Sequence, residues 1–198
     1  FKKPYKSNLL LGVFPVPAFH LTAFFIAAFP SYCLKFPMQK IVVMLCDSHC
    51  HLDMLSDPSE AVARAQNAGV ERMLSCATGA ESIAKGLALA KKFPSVECAI
   101  GIHPSDLLSM GAAEIESAFA AVEKNISMAA AVGEVGLDFK RAKSIEQREL
   151  QENAFRKFIS ISLRHKKPVV VHARYAEPRC LEILEETDNL RKLRQQAD

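Results

Sequence analysis

From Ile41 onward, short apolar runs alternate with longer amphipathic stretches, and this rhythm constrains the fold more than any other feature. Ile41–Asp47 is a continuous apolar run closing on a polar residue, as expected of a strand covered on both faces. Asp57 ahead of Pro58 offers an N-cap and a first-turn proline for a helix over Pro58–Asn67, and Gly69 ends it. The same reading predicts strands at Val70–Ala77, Val96–Ile102, Met128–Glu134 and Val169–His172. Helices are predicted over Glu81–Lys92, Ala112–Lys124 and Pro178–Glu186, and a capping box at Ser144–Gln147 opens a long one to Lys166. Strands alternating with helices in this way predict a parallel α/β sheet with helical crossovers.

Two architectures share that rhythm, a closed barrel and an open doubly wound sheet. No glycine-rich phosphate-cradling motif follows any strand, which weighs against the open nucleotide-binding sheet. Hydrophobic residues at 49% and charged residues at 24% exclude wholesale disorder. Residues 1–40 form a separate unit, an apolar, Pro- and Phe-rich tail carrying five lysines and no acid. The formal charge of +3 therefore leaves −2 on residues 41–198, so the basic excess is not a nucleic-acid footprint. Uncharged residues 7–34 are long enough for a bilayer, but Pro15, Pro17 and Pro30 interrupt them. A membrane anchor, a signal peptide and sequence upstream of a start at Met38 or Met44 stay open as readings; membrane association is expected only under the first. Six cysteines without C-x-x-C spacing read as buried thiols of a reducing, cytoplasmic protein, the alternatives being membrane anchoring or export through the tail.

The chemistry concentrates where strands are predicted to end. In Asp47-Ser-His49-Cys-His51-Leu-Asp53, alternate residues of an extended chain share a face, so His49 and His51 point together, as a divalent cation requires. His103 follows the third strand, Glu134 closes the fourth and His172 the fifth. A carboxylate such as Glu134 can bridge two cations. Each alone has an ordinary structural explanation; their joint placement on the active face of a parallel barrel is the signal.

These segments resemble the successive motifs of the TatD-type metal-dependent deoxyribonucleases, within the amidohydrolase-like metallohydrolase barrels. The motifs are Asp47–Asp53, Gly101-Ile-His-Pro104, Gly133-Glu-Val-Gly-Leu-Asp138 and Pro168-Val-Val-Val-His-Ala-Arg174, and the resemblance covers about residues 41–188. It implies a TIM-barrel metallohydrolase that cleaves phosphodiester bonds of DNA or another phosphoester with two divalent cations, Mg²⁺, Mn²⁺ or Zn²⁺. It implies His49, His51, Glu134 and His172 as ligands, and His103 and Arg174 as substrate contacts at a phosphate. It implies no stable protein partner. Two rivals remain: a barrel acting on amides or lactones, against which no lysine stands at Glu134, and a non-catalytic metal-binding protein.

The resemblance also implies a later histidine and a late aspartate that would complete the cage and orient the attacking water. Neither has a counterpart here, and Glu186-Thr-Asp188 is rejected because it follows the fifth strand by one helix only. No catalytic residue is therefore assigned. The expectation is the first five βα units of eight, part of a longer product, with Val169–Val171 as an exposed apolar edge.

Overall fold

The computed structural model describes residues 45–197. The tail and residues 41–44 of the first predicted strand lie outside them. Five parallel strands pair in the order β1-β2-β3-β4-β5: β1 (Leu45–Cys50), β2 (Val70–Cys76), β3 (Val96–Ile100), β4 (Ala131–Asp138) and β5 (Val169–Arg174). Helices α1 (Pro58–Asn67), α2 (Ala80–Lys92), α4 (Ala112–Asn125) and α5 (Ile145–His165) form the crossovers, α3 (Pro104–Leu107) is a single turn after β3, and α6 (Glu177–Ala197) follows β5. The sheet is parallel, as the alternation predicted, and forms the half-barrel that the resemblance implied.

Local signals set most helix ends. The Asp57 carboxylate accepts from Glu60 N at 2.9 Å and starts α1. At α5, Gln147 N donates to Ser144 Oγ at 3.2 Å and Ser144 N donates to Gln147 Oε1 at 3.3 Å, the reciprocal pair of a capping box.

β4 departs from expectation. The span Met128–Glu134 is displaced to Ala131–Asp138, because Ile126–Met128 closes α4 as a 3-10 turn. Gly133 and Gly136 lie inside the strand rather than ending it, and neighbouring backbone demands the second of them. A Cβ at Gly136 would sit 2.1 Å from the His172 carbonyl oxygen, and φ is +143° there. α3 was not foreseen, a single turn being too short for periodicity; His103 caps it and Pro104 opens it. α6 runs past its predicted end at Glu186.

All eight residues of β4 are buried, and the main core lies between the sheet and α4 and α5. Phe119 of α4 and Phe158 of α5 meet with ring centroids 4.6 Å apart. On the opposite face, Cys76, Ala99, Ala131 and Val170 form a layer of small side chains, which leaves room for the sheet to curl that way. The exposed apolar edge expected at Val169–Val171 is corrected. β5 is last in the pairing order of the described strands, but Val170 and Val171 are only 9% and 8% exposed. Val171 joins the cluster containing Ala176 and, on α6, Cys180 and Ile183, and Val170 joins the small-residue layer.

Candidate metal centre

Three strands and the loop after β3 converge on one carboxylate. Glu134, in the middle of β4, is 8% exposed. Its Oε2 lies 3.3 Å from His49 Nε2 and 3.6 Å from His51 Nε2, and its Oε1 lies 3.0 Å from His172 Nδ1. The two oxygens therefore face two separate imidazole groups.

Curvature makes this possible. β1 and β4 are three strand spacings apart, roughly 14 Å in a flat sheet. That His49 and Glu134 nevertheless touch measures how far the sheet curls toward its small-residue face. The layer takes part directly: Cys76 Sγ lies 3.5 Å from His49 Nδ1, and the Cys76 carbonyl accepts from His51 Nδ1–H at 2.7 Å. A carbonyl only accepts, so His51 keeps its Nε2 lone pair for the centre, the usual arrangement behind a ligating imidazole.

On the other side, His103 Nε2 is 3.1 Å from His172 Nδ1, with ring centroids 4.2 Å apart. His172 Nε2 lies 3.5 Å from Asp138 Oδ2 at the end of β4. Asp138 is 2% exposed; its Oδ1 accepts from Arg141 N at 3.0 Å. Behind it, fully buried Gln151 of α5 accepts from Asp138 N at 2.9 Å and donates to the Pro104 carbonyl at 2.8 Å, joining β4, α3 and α5.

Burial alone would raise the Glu134 carboxyl. Hydrogen bonds from His172 and His49 outweigh it and hold the group well below the usual carboxylate range. The same bond raises His49, whereas burial, reinforced by the neighbouring His172, lowers His103.

The donor atoms form two sets that share Glu134: His49 with His51, and His103 with His172, each set within 4.8 Å. Imidazole nitrogen and carboxylate oxygen at such separations fit divalent cations with N/O preference, and an imidazole-rich set suits Zn²⁺ better than Mg²⁺. An open cleft of about 250 Å³, lined by His51, His103, Glu134, Met54 and Thr78, gives access.

The structure brings His49, His51, Glu134, His172 and His103 together. Arg174 closes β5 and pairs with Asp138 in register; its guanidinium forms no ion pair among the described residues. The sequence reading missed Asp138 and Gln151 as parts of the site. For Asp138 the signal existed, since residues 134, 136 and 138 share a strand face; for Gln151 only the fold supplies it. Among the described residues no helix is long and apolar enough to cross a membrane, and residues 7–34 lie outside them.

The sequence profile of the family described as "TatD related DNase" matches residues 46–194. The chain is 33% identical over 137 residues to an uncharacterized metal-dependent hydrolase of Escherichia coli, YjjV, covering 66% of this chain and 52% of that protein. It is 34% identical over 129 residues to the 3'-5' ssDNA/RNA exonuclease TatD of Salmonella typhimurium, covering 65% and 48%. It thus spans about half the length of the curated relatives it matches. The crystal structure of the Escherichia coli YjjV protein superposes with a TM-score of 0.64 at 29% identity, over 75% of this chain and 57% of that one. A TatD family hydrolase of Entamoeba histolytica gives 0.61 at 18% identity over 72% and 54%, a likeness of fold.

Proposed function

Because the chain belongs to the TatD-related DNase family, we propose that it serves a metal-dependent hydrolase of phosphodiester bonds, acting on nucleic acid at the centre around Glu134. The observation that carries this reading is the Glu134 carboxylate, whose two oxygens face His49 with His51 on one side and His172 on the other. A single carboxylate shared in this way suits a two-cation site.

In this reading His49, His51 and Glu134 hold one cation, and Glu134 with His172 hold the second. Bound cations supply charge neutralisation at the phosphoryl oxygens and activation of the attacking water. The protein's own part is positional. The Cys76 carbonyl fixes the His51 ring, and the two oxygens of Glu134 set the spacing of the imidazoles. His103 lines the cleft, and Arg174 provides planar, paired donors suited to a non-bridging phosphate oxygen. The exonuclease name of the Salmonella relative supports a single-stranded nucleic acid as substrate.

The test has two arms. Calorimetric titration with Zn²⁺ or Mn²⁺ is expected to show two cations per chain in wild type and loss at both positions in Glu134→Gln. Nucleotide release from single-stranded DNA is then compared with hydrolysis of cyclic amides and lactones. Glu134→Gln is expected to lose more than the roughly 100-fold associated with an outer-shell change. Equal activity in both proteins, or turnover of amides in place of phosphodiesters, overturns the reading.

A further inference from the structure

On α5, Arg156, Lys157 and Arg164 each meet a carboxylate, of Glu186, Glu116 and Glu123 respectively. The turn that leads into the same helix is different. Residues 139–148 carry Lys140, Arg141, Lys143 and Arg148 against one acid, Glu146. All four cations are exposed, and none forms an ion pair among the described residues. The acidic balance of residues 41–198 therefore conceals a local basic strip.

The backbone of this turn is fixed. Arg141 N and Ala142 N both donate to the Asp138 carbonyl, at 3.1 and 2.9 Å, and Lys143 N donates to Gln147 Oε1 at 2.8 Å. Ala142 is fully buried, and the Arg148 guanidinium lies 4.8 Å from the centre of the Phe139 ring. Lys140, Arg141 and Lys143 thus stand on an ordered support, which lowers the cost of binding. The turn starts at Asp138, whose Oδ2 is 3.5 Å from His172 Nε2, so it borders the candidate centre. Phe139 N donates to the Arg174 carbonyl at 2.9 Å, which ties the turn to the end of β5. One residue further, Tyr175 is 71% exposed, and its backbone is held at φ +55°, which a bulky side chain rarely adopts.

Unpaired cations beside an open aromatic ring suit single-stranded nucleic acid, because phosphates meet the charges and a base stacks on the ring. Resting on the proposed nucleic-acid reading, we infer that Lys140, Arg141 and Lys143 form a docking track for the sugar–phosphate backbone of the strand beyond the scissile position, with Tyr175 as the stacking face for one of its bases. A duplex keeps its bases paired and stacked on one another, so Tyr175 makes the track selective for single strands.

Fluorescence anisotropy with a labelled oligothymidylate of about 12 nucleotides tests this in chelator, where only the protein's own charges attract the strand. Changing Lys140→Gln, Arg141→Gln and Lys143→Gln together is expected to lower the slope of log affinity against log salt by about 2, at about 0.7 per phosphate contact. With the curves converging near about 1 M salt, that is about 100-fold weaker binding at about 0.1 M. The same loss of charge at the other end of the strands, through Lys91→Gln, Lys124→Gln and Lys166→Gln, is expected to leave the slope unchanged. Tyr175→Asn suits the left-handed backbone and is expected to weaken binding about 5- to 100-fold with the slope unchanged, and to abolish the preference for single strand over duplex. An equal slope in wild type and the track variant, or an equal fall in the control variant, overturns the track. Unchanged affinity in Tyr175→Asn overturns the stacking face, and equally tight binding of polyglutamate overturns nucleic acid as the occupant. Binding as expected in a protein that releases no nucleotide with Zn²⁺ or Mn²⁺ overturns the hydrolytic reading and leaves the track standing.

Discussion

Gln151 occupies a fully buried position where an apolar residue would ordinarily sit, and its removal gives the sharpest test of how the centre is supported. Gln151→Leu keeps the volume and removes both hydrogen bonds. The Asp138 N–H and the Pro104 carbonyl, now bonded at 2.9 Å and 2.8 Å, would be left without partners in the interior. Two orphaned groups at about 1–3 kcal/mol each amount to about 2–6 kcal/mol. The greater apolarity of leucine offsets about 1–2 kcal/mol of this. The mid-range values, about 4 and about 1.5 kcal/mol, leave a net loss of about 2.5 kcal/mol, or roughly 5–10 °C in Tm for a domain of this size. Urea denaturation followed by circular dichroism measures it, with the denaturant slope expected to stay unchanged. A loss below about 1 kcal/mol would refute the reasoning, because it would mean that these two groups find water or other partners when the amide is gone.

Gly136→Ala places a Cβ against the His172 backbone and is expected to cost several kcal/mol or prevent folding. Gly79→Ala, whose Cβ meets nothing within 4 Å, should stay within about 1 kcal/mol of wild type in the same denaturation assay. Burial pushes the Cys98 and Cys180 thiols up to about 12, so iodoacetamide at pH 8 should leave both unlabelled in the folded chain while exposed Cys46 reacts, as peptide mass spectrometry would show. In the metal-free chain, raised His49 adds stability that is complete below its ordinary value of 6.5 and is lost as pH rises through its folded value. Lowered Glu134 adds stability present above its ordinary value of 4.5 and lost as pH falls. Melting temperature in chelator is therefore expected to peak in the mildly acidic range, and Glu134→Gln should flatten the decline on the alkaline side. Saturating Zn²⁺ at about 100 times its Kd should stabilise wild type by about 2.7 kcal/mol per independent site and Glu134→Gln far less, read from thermal melts.

What was legible in the sequence followed the range over which each signal acts. α1 and α5 begin where predicted because Asp57 and Ser144 cap them through contacts three residues away. The bounds of β4 differ from those predicted because Ile126–Met128 turns at the end of α4 and the strand runs on through Gly136 to Asp138. The reason for Gly136 lies on β5, in the His172 backbone against it. The metal-type residues stood out because histidine and glutamate are conspicuous after apolar runs. The partners that orient them did not. Gln151 is an ordinary polar residue on an amphipathic helix until α5 packs its buried face against β4 and α3. The pairing of His103 with His172 spans 69 positions, a separation that sequence patterns do not report.

The contact between His49 on β1 and Glu134 on β4 also orders events in time. Each strand pairs with its neighbour in the chain, so the sheet can grow one unit at a time from short-range contacts. The Glu134 cluster cannot grow that way, because it closes across three strand spacings and exists only after the curl is complete. A refolding chain should therefore acquire its helices and most of its burial before it gains any ability to capture a cation. Metal supplied at the start would wait for β4 and β5 to dock, and the rate of its capture would report the last step of assembly and none of the earlier ones.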